Sequence, residues 1–551
     1  MATELARRPG PPEDVVYRAA AILPGGGRAA ATGLHVRGDS IVAIGDADGL
    51  VQAAPWARVV DMAGATIVPG LIDAHCHVTM LAYLLTGADC TPAAAPDVAT
   101  IKERLAATAA GPEGWVTGSG YAEYQLTDRR QPTRWDLDEA VPETPCILYH
   151  RSLHLAIVNS AGLRALGYTD DTPDPPRGWL GRDGQGRLDG RLIEGLTLDL
   201  INANMGRQFE ALDAAGRSAV IARAGLHLAS LGITACADAA ADAGAFRALR
   251  EAERRGELPV RVNVMFTYAE AAWLLRAGMT TAYGSDRLRV GAIKLFADGG
   301  MSSRTAAVDE PYLEPPGEMG LLWYETDALA SIIRDCQDAG FQVGIHAQGE
   351  RGIRMVLDAY GAVIEPGNPL RHRIEHGGMF APALRAVAAR RNIHVVSQPG
   401  FLAPLGDGYV EAFGLARTQG LYPFASLLRE GVLVAGSSDA PVISASPLLG
   451  MRDAMVRRSE SGASIGLDEA LTAEEALELY TGAAAFVGWQ DDRQGSLEPG
   501  KLADFTVLDR NPLTVTAAEL GEAAVMLTVV GGRTVFDGRV AVAAGRESSR
   551  A

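Results

Sequence analysis

The feature that most constrains the fold is an alternation of short apolar runs with helical segments through the middle of the 551-residue chain. The apolar runs resemble buried parallel strands, and apolar residues at helical spacing lie between them. Eight strands with intervening helices predict an α/β protein of the (β/α)8 barrel type rather than an open sheet. The eight runs are 67–72, 233–238, 260–266, 290–296, 341–346, 372–376, 394–398 and 432–436.

The two ends of the chain differ from this middle, because both carry short strand-like runs broken by glycine-rich turns. Chain ends often lie close together, so the two ends are expected to pair into one small β domain. The predicted boundaries are 1–66 and 490–551 for the two parts of this β domain, and 67–489 for the barrel.

The segment 80–215 does not follow the strand and helix rhythm. It separates the first two predicted barrel strands and is far longer than the connection that a single helix needs. We therefore predict an insertion folded over the barrel mouth. Its proline- and glycine-rich part, 170–190, is expected to be a hairpin or a mobile loop.

Charge and cysteine content narrow the possible partners. A net charge of −17 repels nucleic acid and anionic membranes at long range, so a small-molecule substrate fits better.

Five scattered cysteines without a C-x-x-C pair favour a reducing cytoplasm. The sequence has no apolar run of about 18 residues that would predict a membrane span. A homodimer is the commonest assembly of such proteins and is the expected one.

The most informative motif is Asp73-Ala-His75-Cys-His77, at the end of the first predicted barrel strand. Alternate side chains of a strand share a face, so His75 and His77 are expected to project together into the barrel mouth. Two imidazoles at this spacing can hold one divalent ion such as zinc. Taken alone, the pair could equally be a chance occurrence on an exposed strand.

Three distant residues strengthen the metal interpretation. His346 and His376 each end a later predicted strand, and Asp439 follows the last one. A barrel brings the C-terminal ends of its strands to one rim, so four histidines and a carboxylate should converge there. The sequence therefore predicts a centre for one or two divalent metal ions, with zinc as the expected ion.

Lys294 lies inside the predicted fourth strand at the same depth. A lysine among apolar residues is costly unless its charge is paired or removed, and metal ions would repel its ammonium group. Carboxylation by carbon dioxide would remove the charge and supply two oxygen ligands. The alternative is an ordinary ion pair with Asp298, Asp439 or another nearby carboxylate.

Taken together, five segments resemble the amidohydrolase superfamily, and most closely its YtcJ-like branch, which includes N-substituted formamide deformylases. The resemblance runs from about residue 14 to about residue 540. The segments are Val68-Pro-Gly-Leu-Ile-Asp-Ala-His-Cys-His77, Lys294-Leu-Phe-Ala-Asp-Gly, Gly344-Ile-His-Ala, Arg373-Ile-Glu-His376 and Ser438-Asp-Ala-Pro441.

This resemblance implies roles for the candidate residues. His75 and His77 would bind the more buried ion and His346 and His376 the other. A carboxylated Lys294 would bridge the two ions, and Asp439 would be both a ligand and the general base. The resemblance also implies that the terminal strands form a small β-sandwich.

Two further candidates match the branch less closely. His154 lies in a segment where relatives read Asp-Gly-His, whereas this chain has Ser152-Leu153 before the histidine. His154 could contact the substrate oxygen or be a buried structural histidine. Arg304, in an Arg-Thr-Ala-Ala element, could bind an anionic group of the substrate or hold its own loop in place.

These features predict a metal-dependent amidohydrolase that cleaves a C–N bond of an amide or N-substituted formamide through a metal-bound hydroxide. The nearest rival is a deaminase, or a hydrolase of cyclic amides or esters, at the same centre. From a different class, an inactive barrel could act as a binding or regulatory protein. The complete set of candidate ligands argues against that last alternative.

Overall fold

The N-terminal part of the chain forms strands of one sheet. The computed structural model describes residues 13–175, 178–314 and 316–539. Its first elements are β1 (Asp14–Ile22), β2 (Ala31–Arg37), β3 (Ser40–Gly45), α1 (Ala47–Ala53) and β4 (Arg58–Pro69). The predicted strand 67–72 is wrong in its bounds, because Gly70 separates β4 from the first barrel strand, β5 (Leu71–Cys76). A Cβ at Gly70 would clash with the Thr234 side chain, so this close approach requires glycine.

The segment after β5 builds a separate layer. Its six strands form one sheet in the order β10-β11-β9-β8-β7-β6. The predicted hairpin is present as β10 and β11, which pair antiparallel; residues 176 and 177 of the predicted 170–190 segment lie outside the described residues. The elements are α2 (Val78–Leu84), β6 (Ala88–Asp89), α3 (Val98–Ala106), β7 (Val116–Tyr121), a 3-10 turn (Glu123–Gln125), α4 (Arg134–Ala140), β8 (Cys146–His150), β9 (Leu155–Val158), α5 (Ser160–Leu166), β10 (Gly178–Arg182), β11 (Leu188–Glu194), α6 (Gly195–Ala211) and α7 (Ala214–Ser230).

The barrel itself follows. Its eight strands are all parallel and run in the order β18-β17-β16-β15-β14-β13-β12-β5. Its elements are β12 (Ile233–Ala241), α8 (Ala243–Arg254), β13 (Arg261–Thr267), α9 (Tyr268–Arg276), β14 (Leu288–Phe296), α10 (Thr326–Asp338), β15 (Val343–Ala347), α11 (Glu350–Val363), β16 (Arg373–His376), α12 (Pro382–Arg391), β17 (His394–Ser397), a 3-10 turn (Pro399–Phe401), α13 (Leu402–Thr418), α14 (Phe424–Arg429), β18 (Val434–Gly436), α15 (Pro447–Val456), a 3-10 turn (Leu467–Glu469), α16 (Ala473–Leu479) and α17 (Gly482–Val487).

Two backbone hydrogen bonds join the ends of the eight-stranded sheet. The Asp439 N–H donates to the His75 carbonyl and the His77 N–H donates to the Ala440 carbonyl, both at 2.8 Å. They connect the C-terminal end of β5 with the segment that follows β18. The barrel type predicted from the sequence is therefore confirmed, and all eight strands direct their C-terminal ends to one rim.

The two chain ends share one sheet. The last elements are β19 (Phe505–Leu508), α18 (Ala517–Gly521), β20 (Val525–Val530) and β21 (Arg533–Asp537). The sheet has seven strands in the order β21-β20-β19-β4-β1-β2-β3 and encloses a core of its own, in which the Tyr17 and Phe505 rings lie 4.9 Å apart. The expected pairing of the two ends is thus observed, with β4 as the strand that joins them.

A buried ion pair fixes this sheet to the barrel. Arg261, the first residue of β13, donates through two guanidinium nitrogens to Asp504, at 2.6 and 2.9 Å. Both side chains are only 3% exposed, so removing one partner would leave the other charge buried and uncompensated. Within residues 13–175, 178–314 and 316–539, every helix is too short or too polar to cross a bilayer.

Candidate metal centre

The six predicted ligands all lie at the C-terminal rim of the barrel. Five of them are less than 10% exposed, and the sixth, His77, has a side chain that is 16% exposed. Burial of so many ionisable groups requires mutual compensation or a bound ion. They are His75 in β5, His77 directly after it, Lys294 in β14, His346 in β15, His376 at the end of β16, and Asp439 after β18.

Three of these residues form a compact cluster. His75, His77 and Asp439 each place a potential ligand atom within 4.8 Å of the other two. Asp439 Oδ1 lies 3.0 Å from His77 Nε2 and 3.5 Å from His75 Nε2. Neutral imidazole nitrogens and a carboxylate oxygen are a ligand set that zinc and similar ions accept.

The hydrogen bonds of the first two histidines determine which ring nitrogen is free. His75 Nδ1 lies 2.5 Å from Glu375 Oε2, and His77 Nδ1 lies 2.9 Å from the Ala239 carbonyl. A carboxylate and a carbonyl only accept hydrogen bonds, so each Nδ1 carries the proton. In a neutral ring the Nε2 lone pair then faces Asp439 Oδ1, and only a proton or a cation between them relieves this repulsion.

His376 and His346 lie beside this cluster. The His376 ring centroid is 5.0 Å from that of His75 and 4.4 Å from that of His346. His376 Nδ1 donates to the Gln398 side-chain oxygen at 2.8 Å, which leaves its Nε2 unprotonated. His346 instead donates from Nε2 to the Gly299 carbonyl at 3.0 Å, so its free nitrogen is Nδ1. Each of the four histidines thus keeps one nitrogen with a lone pair available.

Backbone conformation marks two of the same residues. His376 and Asp439 have φ values of 72° and 58°, in the left-handed region that residues other than glycine rarely adopt. Such conformations persist only where the surroundings enforce them, and they concentrate at functional sites. At Asp439, one contact that holds this conformation is the hydrogen bond from its backbone N–H to the His75 carbonyl.

Burial lowers the proton affinity of the imidazoles. It brings the pKa of His75 to about 4 and that of His376 to about 3, and the positive charge of Lys294 acts in the same direction. For His77, burial alone would lower the pKa, but the neighbouring Asp439 outweighs it and raises the pKa. For Asp439, burial would raise the pKa, but the surrounding histidines outweigh it and the pKa lies far below its usual range.

Lys294 is buried without a polar partner. It is 2% exposed, and its Nζ has no hydrogen bond to any of the described residues. The ammonium lies 4.9 Å from the centre of the Phe296 ring, and burial lowers its pKa to about 8. Asp298, considered above as a partner, instead accepts hydrogen bonds from three backbone N–H groups, at 2.9 Å each.

Some supporting residues were not singled out from the sequence. Glu375 accepts from His75 and from Arg373 Nε at 2.6 Å, and these contacts and the charge of Lys294 hold its pKa far below its usual range although burial opposes this. The sequence carried a signal, since Glu375 is a charged residue inside a predicted buried strand, next to a predicted ligand. Gln398 carried none, because an amide after a strand is common.

The two candidate substrate contacts occupy different environments. His154, which precedes β9, donates from Nδ1 to Glu194 at 2.9 Å, and its Nε2 lies beside Gly300 on the loop after β14. Arg304, on the same loop, donates to the backbone carbonyls of Glu314 and Ser302 at 3.1 and 3.0 Å. The hydrogen bonds of Arg304 hold its own loop in place. His154 instead connects the insertion to the rim.

Comparison with known proteins agrees with this site. The chain matches the amidohydrolase family over residues 58–536. It is 31% identical to an N-substituted formamide deformylase of Arthrobacter pascens over 93% of this chain and 94% of that protein, and 28% identical to the putative amidohydrolase YtcJ of Bacillus subtilis (strain 168), over 88% and 91%.

Comparison with solved structures also finds a similar hydrolase. An uncharacterized metal-dependent hydrolase from Pyrococcus horikoshii OT3 superposes with a TM-score of 0.77 at 25% identity, covering 92% of this chain and 99% of that one. The barrel, the rim of histidines with Asp439, and the match over nearly the whole chain agree with one another. The chain therefore belongs to the amidohydrolase family, whose members are hydrolases that act on carbon–nitrogen bonds.

Proposed function

We propose that this enzyme hydrolyses the C–N bond of an amide or N-substituted formamide at a centre that holds one or two divalent ions, with zinc as the expected ion. The observation that carries the proposal is the arrangement of His75, His77 and Asp439. Two Nε2 atoms face one carboxylate oxygen, at 3.5 and 3.0 Å. When both rings are neutral, this arrangement needs a cation between the nitrogens and the oxygen, and a divalent ion would supply it.

The residues present fit such an ion. The outward hydrogen bonds from His75 to Glu375 and from His376 to Gln398 hold the rings with Nε2 free, as is common for histidines that bind metals. A bound divalent ion would supply Lewis acidity toward the substrate carbonyl and make a water molecule acidic enough to attack at neutral pH.

Asp439 is the proposed general base. The pKa of its carboxylate lies far below the usual range, which favours the ionised form, and its Oδ1 faces the Nε2 atoms of His75 and His77. The carboxylate would take a proton from the attacking water and pass it to the nitrogen of the breaking C–N bond, so that a neutral amine departs. The water oxygen forms the new bond to the carbonyl carbon.

Lys294 is proposed to be carboxylated. Its neutral amine would attack carbon dioxide, forming an N–C bond and releasing one proton to solvent. The product places a negative charge and two oxygen ligands where a buried ammonium has no hydrogen-bonding partner among the described residues. One of these oxygens could then be a metal ligand on the His75 side of the centre, and the other a ligand on the His346 side.

His154 is the proposed contact for the substrate oxygen. Glu194 holds its Nδ1, so that Nε2 is directed toward the loop that carries Gly299 and Gly300. Glu194 also raises the pKa of His154 against the opposing effect of burial, which favours a ring that donates from both nitrogens. Such a donor would stabilise negative charge developing on the carbonyl oxygen.

A substrate panel separates this function from its rivals. The purified, metal-loaded enzyme would be assayed with N-substituted formamides, N-acyl amines, cyclic amides and amino-substituted heterocycles, with Asp439→Asn as the inactive control. We expect turnover of an open-chain amide or formamide, with release of its amine. Turnover confined to ring opening or to ammonia release would replace the proposal with one of the two rivals.

We also propose a cytoplasmic enzyme that acts on small molecules as a dimer, in which two copies associate through one shared face. All five cysteines are buried as free thiols, a state that a reducing compartment preserves. Size-exclusion chromatography with light scattering would measure the assembly, and a mass of one chain at micromolar concentration would exclude the dimer.

A further inference from the structure

A second cleft lies on the insertion, away from the barrel rim. It has a volume of about 270 Å³ and opens to solvent. None of the six proposed metal ligands lines it, and all of its lining residues belong to the insertion. The cleft is lined by Arg134, Ser160, Leu163, Arg164, Tyr168, Thr169, Asp170 and Leu188.

Two guanidinium groups in this wall lack a matching carboxylate. Arg134 packs its guanidinium 4.9 Å from the Trp135 ring, and its Nε is buried without a hydrogen-bond partner among the described residues. The nearest carboxylate oxygen recorded for it is that of Asp170, 3.9 Å from Nη1, too far for a hydrogen bond. Arg164 is exposed, and its side chain has neither a hydrogen bond nor an ion pair with any described residue.

The carboxylate of Asp170, in the cleft wall, already accepts a hydrogen bond from the backbone. Asp170 Oδ1 accepts a hydrogen bond from the Leu188 backbone N–H at 2.8 Å, which holds it against β11. Asp138, next to the same wall, accepts from the Ser160 backbone N–H and hydroxyl at 2.7 and 2.6 Å, so its oxygens too are held by donors other than the two guanidinium groups. Guanidinium groups present a planar array of donors that matches carboxylate and phosphate oxygens.

We propose that this cleft binds an oxyanion, namely the carboxylate or phosphate group of a small organic molecule. The guanidinium groups of Arg134 and Arg164 bind the anionic group, and the Tyr168 hydroxyl adds a neutral hydrogen-bonding group. The cleft is close to the lower end of the volumes that proteins use for small-molecule ligands, so it has room for a short organic chain as well as the anion. The site is independent of the hydrolytic function proposed above.

Isothermal titration calorimetry tests the proposal directly. The protein used is the full chain carrying Asp439→Asn, stripped of metal with a chelator, so that anions are not bound by ions at the rim. Inorganic phosphate, succinate and citrate are titrated separately. We expect saturable binding of one anion per chain by at least one of them, and the comparison of phosphate with the two carboxylates identifies the preferred group.

Substitutions then locate the binding. Arg164→Gln and Arg134→Gln should each weaken the binding by about tenfold or more, because each removes a charge-assisted hydrogen bond. Arg187→Gln is the matched control, since Arg187 also packs on Trp135, 5.2 Å away, but pairs with Asp183 and does not line the cleft. It should bind like the parent.

The outcomes that overturn the proposal are equally definite. Absence of saturable binding for all three anions excludes an oxyanion site, and so does binding that Arg164→Gln leaves unchanged. Arg164→Lys keeps the charge and should retain part of the affinity, while thermal unfolding of every variant shows whether it is folded. A loss of binding shared equally by Arg187→Gln would mean a structural effect and would also reject the site.

Discussion

The two halves of the metal centre are built differently. In the half formed by His75, His77 and Asp439, the ligand atoms already lie within 4.8 Å of one another. In the half formed by His346, His376 and Lys294, the rings are in contact but the lysine amine has no polar partner among the described residues. The first half already brings three potential ligands together, whereas the proposed second half would need a bridging group. We therefore expect the two halves to differ in metal affinity.

The position of each half in the barrel explains the difference. The first half lies where β5 meets the segment after β18, and two backbone hydrogen bonds hold its ligands in register. The second half takes its residues from three neighbouring parallel strands, β14, β15 and β16, rather than from the place where the barrel closes. Preorganised ligands lose less entropy on binding an ion, so the first half should retain its ion longer when a chelator is added.

The largest expected effect is that of Asp439→Asn. The substitution removes the proposed base and the carboxylate oxygen that two histidines face. We expect kcat to fall at least about a thousandfold, the scale of losing a general base together with a ligand. Metal content should fall with it, as measured by plasma emission spectroscopy on dialysed protein. Full activity in this variant would contradict the proposed role of the first half.

Lys294→Met should have the next largest effect, and it should act mainly on the second half. Methionine matches the buried apolar surroundings but cannot be carboxylated. We expect one ion per chain to be retained and activity to fall about a hundredfold or more, an estimate from the loss of one charged ligand. In Lys294→Ala, which leaves room in the same place, added short-chain carboxylic acids can replace the carbamate oxygens and should restore part of the activity.

A direct check on the same residue is the mass of the intact, metal-loaded protein under native conditions. Carboxylation adds one carbon dioxide, and Lys294→Met should lack this increment. If the active wild-type enzyme lacks this mass increment, Lys294 is not carboxylated and the proposed bridging ligand is absent.

Glu375→Gln should have a moderate effect that falls on the first half. The amide still accepts from His75 but no longer carries the charge that makes this histidine a better ligand. Loss of such a partner usually weakens metal binding by about ten- to a hundredfold. Gln398→Ala is the matched variant for the second half, because Gln398 supports His376. Chelator competition should show each variant weakening its own ion.

Glu375→Gln requires a stability control, because the carboxylate also compensates Arg373. Thermal unfolding of the metal-free protein separates the two roles. A variant that unfolds at a much lower temperature yet binds both ions normally would assign Glu375 to the fold rather than to the centre.

Arg304→Gln should have the smallest effect. The side chain donates to backbone carbonyls of its own loop and lies outside the ligand cluster. We expect metal content to be unchanged and kcat/KM to change less than about tenfold for an uncharged substrate, since a loop contact contributes little to the transition state. A selective rise in KM for anionic substrates would instead support the substrate contact considered from the sequence.

Much of the fold followed from the sequence because a barrel imposes a strong pattern. Strands buried on both faces need continuous apolar runs, and all eight predicted runs overlap the barrel strands they were assigned to, although the first does so only at Leu71 and Ile72. The first was wrong in its bounds because β4 and β5 form one apolar stretch, and only the three-dimensional position of Thr234 shows why Gly70 divides it.

The site was predictable to the extent that the barrel brings strand ends together. Asp439 lies far from the His75 and His77 pair in sequence and meets it at the rim, as the barrel geometry requires. The hydrogen bonds of Glu375 and Gln398 could not be predicted, because they depend on side-chain directions across neighbouring strands. The full ligand set and the domain boundaries at 66, 80, 215 and 489 stay predictions.

The most direct test is anomalous X-ray diffraction from crystals of the metal-loaded enzyme, recorded on both sides of the absorption edge of the metal. We predict a peak about 2.0–2.2 Å from His75 Nε2, His77 Nε2 and an oxygen of Asp439, the usual zinc–ligand distances. A second, weaker peak should lie beside His346 and His376. An active, metal-loaded crystal without a peak among His75, His77 and Asp439 would contradict the proposed centre.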